Sequence, residues 1–425
     1  MIVFLNRFYH PSTTATGQLL TDLAEGLAAR GHAVRVVTSR HDASLPEDET
    51  HNGVRIHRIG TPARWRGFAR ITEFRAFHVA ARRRLPSLLA PADTVVALTD
   101  PPLVGVTAAQ ACRASGARLV HWVQDIYPEL LAAAGAGWPA LPLVALLRLR
   151  RDRAWREATR CVTLGGDMAA LLRARGVPSD RLAIIPNWAP AGLAPPPPET
   201  VAAMRARWGL GDRFIVAYSG NLGRVHDLDV CLRVAEALRS DSRFAFVFIG
   251  EGARKSRLQR AVAARGLENV VFRPHESRRH LAASLAAADA HWVTLRDSCG
   301  SLVFPSKLYG IAAVGRPVLF AGPPGGELAR QVTAHRLGIA AAPDDTARFV
   351  RTLHHWIETP AACEDAARAS LAFARTRDLP SALDAWEEVL RLPDEMQTRA
   401  TPPGCRQPNT HTDLLLPAIT SSDQP

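Results

Sequence analysis

The chain has 425 residues, of which 47% are hydrophobic, and its formal net charge is +12. This length predicts two or three domains, and the composition excludes a fibrous or wholly disordered chain. The six cysteines stand singly, without the paired spacing of a zinc site or a disulfide framework, and the positive charge favours phosphate-rich partners.

Strands alternate with helices along residues 1–187. The segment MIVFLNRF predicts a first strand instead of a signal peptide, QLLTDLAEGLAARG a helix that ends at Gly31, and HAVRVVTSR a second strand. Further short apolar segments follow in TVVALTD, ARLVHWVQD, RCVTLGG and LAIIPNW. Short buried strands separated by helices predict a parallel sheet that is covered on both faces.

The same alternation restarts after a proline-rich connector, APAGLAPPPPET, with RFIVAYSGNLG, FAFVFIGEG, NVVFRP, AHWVTL and RPVLFAG. We therefore predict an α/β protein with two doubly wound, Rossmann-like domains that face a cleft, where ligands bind beyond the carboxyl ends of the strands. The predicted parts are a first domain at 1–187, a linker at 188–212, a second domain at 213–376, a last helix at 377–392 that packs back on the first domain, and a disordered tail at 393–425.

One segment of the first domain favours contact with an anionic membrane surface, and a second segment is a candidate for an additional contact. Residues 62–84 combine seven arginines with apolar residues at intervals of three, which are Trp65, Phe68, Ile71, Phe74 and Phe77. Residues 130–147 carry no charge and precede the basic segment RLRRDR. A basic amphipathic helix can lie in a lipid interface. For residues 62–84 the alternative is a surface helix whose apolar stripe faces the core. For residues 130–147 we favour a loop that runs into a helix.

Only two lysines occur among the 52 basic residues, Lys255 and Lys307, and both follow predicted strands of the second domain. In FPSKLYG, Ser306 is a candidate N-cap, and Lys307 then falls in a first helical turn, where the helix dipole disfavours a cation. An anion bound there would explain the placement, whereas a solvated surface lysine is the alternative. In YSGNLGR, the glycine turn after a strand permits backbone N–H groups to approach a phosphate, and Arg224 adds a charge.

The segments FYHPSTTATGQLLTDLAEGLAARGHAVRVVT, VQDIYPE, IPNW, YSGNLGR, GEG, PSKLYG and GRPVL occur in an order that resembles the retaining glycosyltransferases of family 4, which have the GT-B fold. The similarity spans about residues 1–390. Within that family the chain resembles bacterial enzymes of O-antigen, capsule and colanic-acid synthesis, including those similar to an N-acetyl-L-fucosamine transferase.

This resemblance implies transfer of a sugar, such as an N-acetylated deoxyhexosamine, from a usually UDP-linked donor to a lipid-diphosphate-linked saccharide, with retention of configuration. It implies a cytoplasmic enzyme that is peripheral at the inner face of the membrane and needs no metal and no cofactor. Catalytic candidates are Lys307, Arg224 and Asp125. The donor-binding candidates are Gly17, Gln124, Gly220, Asn221, Glu251, Lys255, Ser306 and Glu327.

Several positions depart from the family pattern. The two glutamates found eight residues apart in many members correspond to Leu302 and Gly310, so a ribose contact of the second glutamate is in doubt. Gln124 stands where members often carry a histidine, and Asn221 and His226 stand near positions that are often Arg and Lys. A UDP-sugar 2-epimerase on the same fold and a non-catalytic nucleotide-sugar-binding protein remain as alternatives. A nucleic-acid partner is not expected, because no aromatic stacking platform can be read from the sequence.

Overall fold

Two sheets form the framework of the protein, and the computed structural model describes them within residues 1–60, 69–135 and 142–391. The first sheet has the strand order β3-β4-β2-β1-β5-β6-β7-β8 and the second has β11-β10-β9-β12-β13-β14. The strands of the first sheet are β1 (Ile2–Leu5), β2 (Val34–Ser39), β3 (Asp48–His51), β4 (Val54–Ile59), β5 (Thr94–Ala97), β6 (Arg118–Val123), β7 (Arg160–Thr163) and β8 (Leu182–Ile184). Those of the second are β9 (Phe214–Ser219), β10 (Phe244–Ile249), β11 (Val270–Arg273), β12 (Ala290–Thr294), β13 (Val318–Ala321) and β14 (Gly338–Ala341).

Helices connect almost every pair of parallel strands. In chain order they are α1 (Ala15–Ala29), α2 (Ala69–Arg84), α3 (Val104–Ser115), α4 (Glu129–Ala133), α5 (Pro142–Glu157), α6 (Gly166–Ala174), α7 (Pro198–Trp208), α8 (Asp229–Ala237), α9 (Lys255–Arg265), α10 (Leu281–Ala286), α11 (Lys307–Ala313), α12 (Glu327–Ala334), α13 (Thr346–Glu358), α14 (Pro360–Arg375) and α15 (Leu379–Leu390). The strands β1, β5, β10 and β13 are buried at every residue, as expected for parallel strands that are covered on both faces. The predicted class, two Rossmann-like parallel sheets, is confirmed.

One edge of the first sheet is an antiparallel hairpin that the sequence analysis missed. Strand β3 pairs with β4, with His51 opposite Val54, and the turn between them is Asn52–Gly53. Both turn residues have positive φ angles, 47° and 78°. This is the turn geometry that favours Asn-Gly in two-residue hairpins, so the dipeptide was an available signal.

The last helix lies against the first sheet and its helix α1. The side chain of Leu383 packs so tightly on Gly26 that a Cβ at that glycine would lie 2.8 Å from Leu383 Cδ1. Arg30 pairs with Asp384 at 2.6 Å. Trp386 is fully buried. These contacts place α15 within the compact unit Met1–Val389, which also contains both sheets.

Helix α2 packs differently from the lipid-facing helix that we considered. Phe77 is buried in the core of the first sheet. The Arg7 guanidinium lies over the Phe74 ring, 4.7 Å from the ring centroid. Trp65, Phe68 and the side chain of Ile71 lie outside the described residues. The described part of the apolar stripe therefore faces the protein, which is the alternative we had left open.

Candidate functional site

Two glycine-rich turns lie side by side at the carboxyl ends of β9 and β10. Gly220 and Gly250 have φ angles of 126° and 131°, which L-residues rarely adopt. The Gly220 N–H donates to the Ile249 carbonyl at 2.9 Å, and a Cβ at Gly250 would collide with the Gly220 carbonyl oxygen. Glycine is therefore required where the two backbones approach each other.

Lys307 points into these turns. Its Nζ lies 3.6 Å from the ring centroid of Tyr218 and would lie 3.6 Å from a Cβ placed on Gly220. The nitrogen is buried, and no described residue offers it a hydrogen bond. Burial lowers the pKa of Lys307 to about 7. Burying an ammonium without a hydrogen-bond partner costs free energy. This arrangement is typical of a group that pairs with an anion when a ligand binds.

The neighbours of Lys307 do not supply the missing negative charge. The Tyr218 hydroxyl donates to the Asn221 carbonyl at 2.9 Å, so the ring is held in place below the ammonium. His226 is buried, with Nδ1 2.6 Å from the Thr294 carbonyl oxygen. Burial and the nearby Lys307 lower the pKa of His226 to about 3, so this imidazole is neutral. The Arg254 guanidinium, which donates to the His226 carbonyl at 2.7 Å, is already paired with Asp229 at 2.9 Å, and Arg224 is exposed.

The loop that follows β6 meets the loop that leads into α11. Asp125 forms an isolated antiparallel bridge with Val303, and the Ile126 N–H donates to the Leu302 carbonyl at 2.8 Å. Lys307 follows four residues after this bridge. The structure therefore brings the Asp125 loop of the first sheet next to the Lys307 loop of the second, across a sequence separation of about 180 residues.

Asp125 also lies on a pocket at the carboxyl ends of β5 and β6. Its pKa is raised to about 7 by burial and by the nearby Asp100 carboxylate. A carboxyl group of this kind exists in both protonation states near neutral pH and can hold or accept a proton. The pocket is lined by Leu98, Thr99, Leu103, Val104, Gly105, Val106, His121, Val123, Asp125, Tyr127, Arg151, Ala154 and Trp155.

Some of the other candidates are engaged by neighbouring side chains. Gln124 is buried and exchanges two hydrogen bonds of 3.0 Å with Asn187, which occupies its amide. Lys255 begins α9 and pairs with Glu251 at 2.5 Å on the surface. Contacts of these groups with a donor stay predictions.

Further candidates lie at turns and helix ends. Ser306 occupies the N-cap position of α11 but makes no capping bond, which corrects the expected role of its hydroxyl. Gly17 is buried at the start of α1, where its N–H donates to the Thr14 hydroxyl. Asn221 is exposed in the turn after β9.

Glu327 takes part in a reciprocal contact between two helix N-termini, which we call the carboxylate latch. The Glu327 carboxylate accepts from the Gly166 N–H at 3.2 Å, and the Glu327 N–H donates to Asp167 at 2.7 Å. Arg330 donates to both carboxylates, at 2.6 Å to Asp167 and 2.9 Å to Glu327. Since α6 follows a strand of the first sheet and α12 a strand of the second, the latch joins the two halves of the protein. Our sequence analysis left Asp167 out of the site.

Apolar residues surround positions 302 and 310, which correspond to the two glutamates found in many members of the family that the sequence resembles. Leu302 is buried, and a Cβ on Gly310 would point at Leu193 and Leu285, at 3.5 and 3.6 Å. A carboxylate at position 310 would be buried among leucines. Neither position therefore offers a carboxylate to a ligand.

Comparison with known families covers most of the chain. Residues 14–188 match the glycosyl transferase 4-like domain, and residues 201–372 match the glycosyl transferases group 1 domain. The chain is 30% identical over 293 residues to the probable glycosyltransferase WbjE of Pseudomonas aeruginosa, covering 68% of this chain and 71% of that protein. It is 28% identical over 331 residues to the putative colanic acid biosynthesis glycosyl transferase WcaI of Escherichia coli K12, covering 72% and 79%.

Solved structures with the same fold include Anabaena Alr3699/HepE in complex with UDP-glucose. The TM-score is 0.71 at 17% identity, and the similarity covers 92% of this chain and 98% of that one. Sucrose-phosphate synthase of Thermosynechococcus elongatus gives 0.74 at 16% identity, covering 94% and 99%. The fold is thus GT-B, and the chain belongs to the glycosyltransferases that combine a glycosyl transferase 4-like domain with a group 1 domain.

Proposed function

We propose that this enzyme transfers a sugar from a UDP-linked donor to a lipid-diphosphate-linked saccharide in bacterial surface polysaccharide synthesis, with retention of the anomeric configuration. The observation that carries the proposal is the ammonium of Lys307, which is buried beside the turn at Gly220 and makes no hydrogen bond within residues 1–60, 69–135 and 142–391. A diphosphate oxygen is a ligand that would supply such an ammonium with a charge-assisted hydrogen bond. The printed names of WcaI and of the HepE complex support polysaccharide synthesis and a UDP-sugar donor, respectively.

The proposed chemistry is a substitution on one face of the donor sugar. The bond from the anomeric carbon to the diphosphate oxygen breaks while a bond to the acceptor oxygen forms on the same face. The acceptor hydroxyl gives its proton to the departing diphosphate oxygen, so charge and atoms balance. Lys307 and Arg224 stabilise the negative charge that grows on the diphosphate, which is the main contribution expected from preorganised electrostatics.

We assign Asp125 to the acceptor side of the reaction. It borders the pocket of the first sheet and lies next to the loop that precedes Lys307. A carboxyl group with a pKa of about 7 can orient the acceptor hydroxyl by a hydrogen bond, whether it donates or accepts. We therefore assign Asp125 to positioning of the acceptor and Lys307 to the donor diphosphate.

A direct test offers the purified enzyme a panel of nucleotide sugars with a short-chain lipid diphosphate saccharide. We expect transfer from a UDP-sugar, and NMR of the product should show the anomeric configuration of the donor. Inverted product would refute the same-face mechanism. Epimerised donor without transfer would instead support a 2-epimerase, and binding without either reaction would support a non-catalytic protein.

The affinity for a UDP-sugar should depend on the protonation of Lys307. Only the charged ammonium attracts the diphosphate, and its pKa of about 7 in the free protein means that it loses its proton as the pH rises above neutrality. We expect affinity to be highest below about pH 7 and to fall by up to about tenfold per pH unit above it. Calorimetry with UDP-glucose, whose phosphates do not titrate in this range, measures this effect. In Lys307→Met the dependence should disappear, and a flat profile in the unchanged protein would contradict the assignment.

We further propose that the enzyme works at the inner face of the cytoplasmic membrane as a peripheral protein. Helix α5 exposes Leu143, Leu146 and Leu149, at 59%, 42% and 63% of their side-chain surfaces. Trp155 is buried on the inner side of the same helix, with the Arg151 guanidinium 4.2 Å from its ring centroid. A firmly held helix with exposed leucines and flanking arginines suits a lipid interface. No helix within the described ranges is long and apolar enough to cross a bilayer.

Replacing Leu143, Leu146 and Leu149 by serine should reduce co-sedimentation with anionic vesicles by at least about tenfold, because the apolar area that enters the interface is lost. Nucleotide affinity should not change. Ile184→Ser, which removes another exposed apolar side chain, is the matched control and should bind vesicles normally.

Electrostatic attraction is tested separately with the exposed arginines at the end of α2. Changing Arg82, Arg83 and Arg84 to Gln should weaken binding to anionic vesicles, and high salt should have the same effect on the unchanged protein. Equal binding to neutral and anionic lipids would refute an electrostatic docking face.

A further inference from the structure

Two histidines and a glutamate lie together at the edge of the first sheet, outside the site described above. One ligand atom from each of His10, Glu25 and His51 lies within 4.8 Å of the others. The two imidazole rings are stacked, with centroids 3.9 Å apart and planes at 15°. Nε2 of His51 is 3.7 Å from Oε1 of Glu25, which is too long for a hydrogen bond.

The surrounding residues hold this cluster in a specific arrangement. His10 lies in the loop after β1, Glu25 on α1, and His51 at the end of β3, directly before the hairpin turn. Asn52 donates from Nδ2 to Oε2 of Glu25 at 2.9 Å, and the same nitrogen lies 3.3 Å from Nε2 of His51, a longer contact that a metal ion at this nitrogen would replace. Arg58 donates to the His10 carbonyl at 3.2 Å.

The two carboxylate oxygens of Glu25 differ in their hydrogen bonding. Oε2 is oriented by the Asn52 amide, whereas Oε1 is buried and accepts no hydrogen bond from any described residue. The hydroxyl of the adjoining Tyr9 is likewise buried without a partner among the described residues. A carboxylate with one oxygen fixed by a neighbour and the other bare is typical of a metal ligand supported by its second shell.

We propose that His10, Glu25 and His51 bind a divalent transition-metal ion, preferentially Zn²⁺. Two imidazoles and a carboxylate form a donor set that suits zinc, and a water molecule completes the coordination. The ion ties together the loop after β1, helix α1 and the β3–β4 hairpin. We assign the ion a structural role because its three ligands come from three separate elements, which it would hold together.

The test uses the untagged full-length protein, dialysed against a chelator and then titrated with Zn²⁺ by calorimetry and with Co²⁺ by absorption spectroscopy. We expect one ion per chain, visible Co²⁺ ligand-field bands, and a higher unfolding temperature in the presence of Zn²⁺. His10→Gln, His51→Gln and Glu25→Gln should each weaken Zn²⁺ binding by at least about tenfold. His32→Gln is the matched control, because His32 pairs with Glu387 at 2.9 Å and is not part of the cluster.

Two results would overturn the site: the absence of a saturable Co²⁺ spectrum, or Zn²⁺ binding of equal affinity in the double variant His10→Gln/His51→Gln. Circular dichroism shows whether each variant is folded. If a histidine variant is not, Glu25→Gln decides, because it keeps the side-chain volume and an oxygen for Asn52. Transfer activity is not the readout, so the result is independent of the proposed function.

Discussion

Lys307→Ala is expected to weaken binding of UDP or a UDP-sugar by about 1.5–3 kcal/mol, or about 10- to 150-fold, as measured by calorimetry. The ammonium is buried beside the turn at Gly220 and has no hydrogen-bond partner in the part of the chain that the structure describes, so we expect it to pair with a diphosphate oxygen. Charge-assisted hydrogen bonds of this kind account for the range. The turnover of the enzyme should fall as well, because negative charge on the diphosphate increases in the transition state.

The other lysine of the chain provides the control. Lys255 is already paired with Glu251 on the surface, so Lys255→Ala should change nucleotide affinity by less than about 0.5 kcal/mol. Lys307→Met separates binding from folding: it keeps the volume and removes the cost of burying an ammonium, so it should be at least as stable as the unchanged protein. Unaltered affinity in both Lys307 variants would exclude the assigned role.

Gly250→Ala should lower the free energy of unfolding by at least about 3 kcal/mol and abolish nucleotide binding with it. The added methyl would collide with the Gly220 carbonyl oxygen, which is backbone and cannot rotate away, and the φ of 131° is unfavourable for alanine. Relief of the collision must separate the two turns, which moves Gly220 away from Lys307. Denaturant unfolding and calorimetry with UDP measure the two effects.

Gly266→Ala is the control for backbone strain alone. Gly266 ends α9 with a φ of 61°, and a Cβ there would have open space around it. The left-handed conformation costs alanine about 1–2 kcal/mol, and binding should survive. A loss in Gly250→Ala no larger than in this control would show that the turns can separate without damage.

The fold was predictable because short segments of the sequence indicate its strands and helices. In β10 all six residues of FAFVFI are buried, and an apolar segment of this length followed by glycine is typical of a buried parallel strand. The rarity of lysine over the whole chain drew attention to Lys307, whose ammonium is buried at the glycine turns. The hairpin at Asn52–Gly53 was also within reach of sequence reasoning, since that dipeptide favours the turn observed there.

The partners of individual side chains were not predictable from one sequence. Gln124 pairs with Asn187 across 63 positions, and Glu327 contacts Gly166 across 161. Such pairs depend on how the two sheets and their helices pack, which local patterns do not encode. The same limit hid the cluster of His10, Glu25 and His51, whose residues come from a loop, a helix and a strand. Metal-ligand spacing along the chain reveals only sites built from one short segment.

The carboxylate latch has a consequence for how the enzyme opens. Glu327 and Asp167 each satisfy the start of the other's helix, and Arg330 balances both charges. Separation of the halves would break the two backbone N–H bonds and the Arg330–Asp167 pair together and leave two helix starts uncapped, whereas the Arg330–Glu327 pair lies within α12 and would persist. The enzyme should therefore alternate between two discrete arrangements. Substrate entry and product departure would then be governed by one all-or-none event, whose frequency sets an upper limit on turnover.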